Sequence, residues 1–254
     1  MRRAAFALAL TAPALIAAAP PKPKLVPDVS QRDIRIIYSF TGAELLLFGA
    51  IVYPDGRAPD GRVDVAVVVK GPVEPILVRE KQKVAGIWIN AASTRYLSAP
   101  TFYAVASSRP IPQIVDERTA AIYELGLESL QLSPASGPPP EEQRRFDEGL
   151  VELRRRHDLF SQAGSGVEIT DGVLYRAHVN LPARVPVGRY TAETFLIQNG
   201  RVIAGAVRPI TIEKSGMERF VANAAEEWSF TYGIVAVLLS LGFGWAAAAL
   251  FGRR

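Results

Sequence analysis

Tyr190–Val207 reads YTAETFLIQNGRVIAGAV, and this stretch decides the fold class. Two runs of strand-forming residues flank Asn199-Gly200, a pair that tolerates the positive φ angles of a tight primed turn. A β-hairpin of Tyr190–Ile197 and Val202–Val207 is predicted, with Ile210 and Ile212 ending the domain. Just upstream, Val173, Tyr175, Ala177, Val179 and Leu181 alternate with Leu174, Arg176, His178 and Asn180. A period of two marks a strand with one buried face.

Toward the N-terminus the same signal recurs. Ile34, Ile36, Tyr38 and Phe40 share a face, Leu45–Tyr53 is an apolar run, and Val63, Val65, Val67 and Val69 alternate with Asp64, Ala66 and Val68. Ile76–Arg79, Ile87–Ile89 and Phe102–Ala106 read as further short strands. Only the middle changes period. Asp116–Leu130 is helix-like, with Ile122, Leu125 and Leu130 as candidate core contacts, and Ser133–Pro140 is a break. Glu141–Phe160 then places Phe146, Leu150, Leu153, His157 and Phe160 on one face. Its acidic residues come early and its arginines late, which suits the helix dipole. Short strands with turn signals between them predict a mainly β chain, an Ig-like β-sandwich with an inserted helical pair.

Both ends carry membrane-related signals. Met1-Arg2-Arg3 precedes an apolar stretch to Ala18 and the small exit Ala17-Ala18-Ala19, the three parts of a secretory signal. Near the other end, WSFTYGIVAVLLSLGFGWAAAALFGRR holds no charge between Glu227 and Arg253. At 1.5 Å per residue Trp228–Phe251 reaches about 35 Å, enough for a hydrocarbon core of about 30 Å. Arg253-Arg254 is expected on the cytoplasmic side, with the domain outside. Ser240, Gly244 and Ala248 recur every four residues, a spacing that lets helices approach closely in lipid.

The expected organisation is a signal peptide at 1–19, a Pro-rich leader at 20–30 and a periplasmic β domain at 31–214, with its helical insertion at about 116–160. A juxtamembrane helix at 215–227, a transmembrane helix at 228–251 and a cytoplasmic tail at 252–254 follow. This describes a single-pass membrane protein with its domain outside the cytoplasm.

Charge and composition limit the function classes. The net charge of +4 vanishes outside the ends: without Arg2, Arg3, Arg253 and Arg254, 25 basic residues face 25 acidic ones. That balance argues against nucleic acid as a partner. Cysteine is absent, so thiolate chemistry and disulfides are excluded.

Candidate side chains are few. His157 lies in an apolar helical stripe, where a structural histidine is expected in preference to a ligand. His178 lies on the polar face of its strand, beside Arg176 and Asn180, as a possible recognition residue. Trp88 and Asn90 alternate onto one strand face and are the other recognition candidates, although core packing is the expected role of Trp88. Glu44 precedes an apolar run and is expected at an exposed edge. Asp55 and Asp60 belong to Asp-Gly turns, because Arg57 and Arg62 intrude on any calcium loop. Gly164-Ser165-Gly166 lacks the Gly-x-Ser-x-Gly spacing of a nucleophile elbow. No catalytic residue, metal or cofactor is called for.

The signal, Leu25–Ser30 (LVPDVS), Gly42–Gly49 (GAELLLFG), Val69-Lys70-Gly71-Pro72 and the terminal span together resemble an alphaproteobacterial transmembrane protein family (Alph_Pro_TM-like). The likeness covers nearly the whole chain. It implies the topology above, an inner-membrane setting and membrane exporters as neighbours, and it carries no site. The leading expectation is a non-enzymatic accessory that contacts the bilayer through its helix and another inner-membrane protein through its domain. The rivals are a carboxylate-dependent periplasmic hydrolase or ligand-binding enzyme, and a self-associating envelope protein.

Overall fold

A computed structural model describes residues 22–36, 42–54, 56, 61–135, 139–214 and 225–251. The expected signal peptide, the residues Ile37, Tyr38 and Phe40, the turn residues Asp55 and Asp60, most of the juxtamembrane segment and the tail lie outside them. The chain is mainly β, with one long apolar helix at its C-terminal end.

Two sheets share one core. In the first, β1 (Lys24–Val29), β3 (Gly42–Val52), β11 (Leu174–Pro182) and β10 (Val167–Thr170) lie antiparallel in that order. In the second the order is β2 (Asp33–Ile36), β13 (Arg201–Lys214), β12 (Gly188–Gln198), β4 (Val63–Lys70), β7 (Tyr103–Ser107) and β9 (Phe160–Ala163). The outermost pairs, β2 with β13 and β7 with β9, are parallel and the inner ones antiparallel. Leu45, Leu47, Ile51, Tyr175, Val179 and Leu181 of the first sheet are buried in one cluster with Val65–Val69, Leu196 and Ile210 of the second. Each such large side chain contributes about 1.5–3 kcal/mol by leaving water.

Several expectations hold residue by residue. β11 buries Tyr175, Ala177, Val179 and Leu181 and exposes Leu174, Arg176, His178 and Asn180, while Val173, expected on the buried face, precedes the strand and is exposed. Asn199 and Gly200 turn β12 into β13 with φ of 50° and 79°. β4 departs from its predicted alternation, since Asp64–Val69 are all buried. One face meets the other sheet. The other is covered as well, and α1 (Ile111–Ile114) and α2 (Glu117–Tyr123) add Ile111, Ile114 and Ala120 to the same core. A strand covered on both faces needs no polar face.

The structure corrects four boundaries. Lys24–Val29, within the expected leader, is the edge strand β1, with Leu25 and Val29 buried and the Pro27 carbonyl accepting from Arg208 Nε. The helix expected to reach Leu130 stops at Tyr123, leaving Ile122 exposed. Glu124 there takes φ of 50° while its carboxylate pairs with Lys70 and its carbonyl accepts from Tyr103 Oη at 2.6 Å. After a short 3-10 turn at Leu127–Ser129 and the two-residue β8 (Ser133–Pro134), α3 spans Pro140–Arg156. Only Phe146 and Leu150 of its predicted stripe are buried helical residues. Leu153 is exposed, His157 is an exposed C-cap, and Phe160 opens β9 against Tyr103.

The largest departure is an arm. The separate strands expected at Ile76–Arg79 and Ile87–Ile89 belong to one hairpin, β5 (Val73–Val84) and β6 (Ile87–Pro100). The β4–β7 ladder passes into it through Gly71 N to Phe102 O at 2.8 Å and Thr101 N to Pro72 O at 2.9 Å. Gly71 is needed at this crossing, because a Cβ there would lie 2.7 Å from Thr101 Oγ1. α3 and β8 stiffen the inner half of the arm. Tyr96, Ala99, Phe146 and Leu150 form a second buried cluster, flanked by the ion pairs Arg154–Glu74 at 3.0 Å and Arg145–Glu80 at 3.1 Å.

Candidate functional site

The recognition candidates fall in two separate places. Trp88 and Asn90 lie at the outer end of the arm, on one face of β6 as their spacing requires. Trp88 does not pack in a core: 65% of its surface is exposed. The register sets Lys83 opposite Trp88 and Lys81 opposite Asn90, so that face is aromatic and basic. Val84 stands opposite Ile87, and Ile89 opposite Gln82, so the other face is largely apolar. Every residue from Lys81 to Ala91 is exposed. The turn itself is Ala85-Gly86, with φ of 50° and 87°, a primed turn that keeps the ribbon tight.

His178 lies elsewhere, on β11, at the rim of a cleft of about 590 Å³ between the two sheets. Its Nδ1 meets Glu44 Oε1 at 2.9 Å. Asn180 is directly opposite Glu44 in the ladder and Leu46 opposite His178, so the pair is a diagonal neighbour across two strands. Glu44 is exposed as expected, although β3 is an interior strand of its sheet. Asp158, Ser161 and Gln162 line the same cleft from the β9 side. Both members of the pair are more than half exposed, so water screens their attraction.

Two partly buried polar clusters have structural roles. Asp64 accepts from Ser108 Oγ at 2.7 Å and from the Arg109 guanidinium, with Nε at 3.0 Å. Burial raises its carboxyl, but the Arg109 and Ser108 hydrogen bonds prevail and hold it below the usual range. Lys70 reaches Glu124 and, at 3.4 Å, Glu193. His157 faces solvent apart from both. Among the described residues no three His, Cys, Asp or Glu side chains gather as a metal site.

The third feature is α4 (Ser229–Phe251), of which Ser229–Ala249 is apolar and long enough to cross a membrane and is unburied by the rest of the described chain. Ser240, Gly244 and Ala248 lie along one of its faces. Ser240 Oγ donates to the Ala236 carbonyl at 2.8 Å, so its hydroxyl is satisfied within the helix.

Sequence reading passed over Lys81, Lys83, Val84, Ile87 and Ile89 as a group. The available signal was Ala85-Gly86 between alternating residues. Residues 24–253 match a family model described as "Putative transmembrane protein" (Alph_Pro_TM). A search of curated proteins finds no match.

Proposed function

Since the chain belongs to the Alph_Pro_TM family of transmembrane proteins, we propose that it is a non-enzymatic accessory of the inner membrane. In this reading α4 is the anchor and the β domain stands on the periplasmic side. The domain contacts a neighbouring membrane protein, for which an exporter is the proposed partner.

The observation that supports this reading is the arm. A hairpin of about 40 Å, at 3.3 Å per residue along β5, is braced by α3 and then ends in a stretch, Lys81–Ala91, in which every residue is exposed. Ordering such an arm costs conformational entropy, and its exposed outer half buries little among the described residues in return. Contacts outside the chain are the physical use of such an element.

Crosslinking in the native membrane tests the proposal. A photo-crosslinker at the exposed Leu77 of the arm should give one discrete adduct with a membrane protein. That adduct should disappear when Lys81–Asn90 is replaced by Asn-Gly. Recovery of the protein alone from intact membranes sinks the accessory reading.

A further inference from the structure

We propose that the tip of the arm rests in the interfacial layer of the bilayer that α4 crosses. Val84, Ile87, Trp88 and Ile89 would sit among lipid headgroups and the upper acyl chains, with Lys81 and Lys83 against anionic phosphates. The inference rests on reading the arm as a contact element and α4 as the anchor, and it names what the tip touches.

The first argument is the distribution of apolar surface. A surface that docks on a protein presents one face of a ribbon. Here both faces are apolar or aromatic around the turn, with Trp88 on one and Val84, Ile87 and Ile89 on the other. A contiguous exposed patch of this kind marks a contact surface. One that surrounds the end of a finger suits a fluid medium better than a shaped pocket. Tryptophan is the side chain that prefers the headgroup layer, where its ring is apolar and its N–H wet.

Charge is graded along the same axis. Lys81 and Lys83 follow the apolar turn, and Arg79 and Arg95 lie further back. No acidic residue occurs from Lys81 to Pro100, and Glu80 is paired with Arg145. Lysine stems extend along apolar surface while their ammonium groups stay at phosphate level. Apolar burial combined with basic residues is how peripheral segments hold to anionic lipid.

Position supplies the third argument. β4 and β13 both run antiparallel to β12, which lies between them, and so they point the same way. Lys70, at the end of β4, is opposite Thr191, and Thr191 is opposite Pro209 near the end of β13. A Cβ on Gly188, the residue paired with Ile212, would lie 2.9 Å from Pro72 Cγ. The arm is therefore rooted at the end of the sheet from which the chain leaves for α4. Residues 215–224 join β13 to the helical turn at 225–227, and a stretch of ten residues reaches at most about 35 Å. β13 itself continues past Pro209 to Lys214 in the direction of the arm, so the tip and the start of α4 can meet one bilayer surface.

The full chain serves as its own test object because it has no cysteine. A nitroxide on Ile87→Cys, in vesicles of phosphatidylcholine with phosphatidylglycerol, should collide several-fold more with oxygen, relative to a water-soluble nickel chelate, than one on Glu168→Cys. This contrast should weaken without phosphatidylglycerol and in Lys81→Gln/Lys83→Gln. With Trp228→Phe and Trp245→Phe, Trp88 becomes the single tryptophan, and brominated lipid should quench it without any change at the tip. Equal water access at 87 and 168, together with unquenched Trp88, overturns the inference. So does spin–spin broadening that reports a second copy at the tip. A photo-crosslinker replacing Trp88 in native membranes separates the two readings: protein adducts without lipid adducts defeat this inference and leave the contact role standing, and no adduct of either kind defeats both.

Discussion

Tyr96 donates its hydroxyl to Asp147 Oδ1 at 2.6 Å, joining the arm to α3. Gln143 Nε2 donates to the same carboxylate at 2.6 Å, so Asp147 keeps one partner if the phenol is removed. Burial, then the bond to Asp147, pushes the Tyr96 hydroxyl well above its ordinary value, so it remains a donor. Tyr96→Phe should cost about 1 kcal/mol, a typical net hydrogen bond. Tyr96→Ala should cost about 3–5 kcal/mol, because the ring fills the small second core. Denaturant unfolding gives both numbers. Limited proteolysis should cut the Tyr96→Ala arm first, and a cut in the two-sheet body instead would contradict the assignment.

Gly49 marks a close backbone approach in the first sheet. A Cβ there would lie 2.5 Å from the Val26 carbonyl oxygen and 2.6 Å from Tyr175 Oη. Gly49→Ala should therefore destabilise by about 1–3 kcal/mol, the usual cost of overpacking. Adding Tyr175→Phe should recover only part of this, since the Val26 carbonyl remains in the way. Full recovery in the double variant, read by thermal unfolding, would place all the strain on the phenol and refute the account.

Asp64 gives a pH dependence whose sign is fixed. Its carboxyl is held below its ordinary value of 3.8 in the folded chain. The unfolded state then binds the proton more readily, and stability falls as the pH drops from the usual carboxylate range through the folded value. Asp64→Asn should cost about 1–3 kcal/mol at neutral pH, less than for a fully buried pair because Arg109 is partly exposed. The gap between the two proteins should close in acid. Urea midpoints across the acid range measure it, and a gap that stays constant with pH excludes Asp64 as the source.

Where local chemistry decides the structure, the sequence is readable. Tyr175, Ala177, Val179 and Leu181 alternate because one sheet face is wet. Asn199-Gly200 turns because both residues accept positive φ. The charge-free run of α4 needs no partner to be recognised. Tertiary forces decide the rest. Glu124 ends α2 by reaching Lys70, 54 residues away. Ala85 must adopt φ of 50°, which few alanines do, so Ala85-Gly86 is a weak turn signal and the arm looks like two short strands. Alternation placed Trp88 and Asn90 on one face but could not reveal that neither face of the tip is covered. Glu44 and His178 meet only through the pairing of β3 with β11, 134 residues apart. No local pattern encodes that register.

Gly244→Leu separates anchoring from helix packing in α4. A Cβ at Gly244 meets nothing within 4 Å among the described residues, and leucine is a better helix former than glycine by up to about 1 kcal/mol. The substitution should therefore leave folding and membrane insertion intact, so any loss must arise between molecules. Ser240, Gly244 and Ala248 form a face on which two helix backbones can approach, and leucine would hold them apart. Helices in lipid are held together largely by van der Waals packing, so loss of the close approach should shift the population toward monomer. Fluorescence transfer between labelled copies, measured at several protein-to-lipid ratios, should report that shift. Identical transfer curves for the two proteins would remove self-association through this face and leave α4 as an anchor alone.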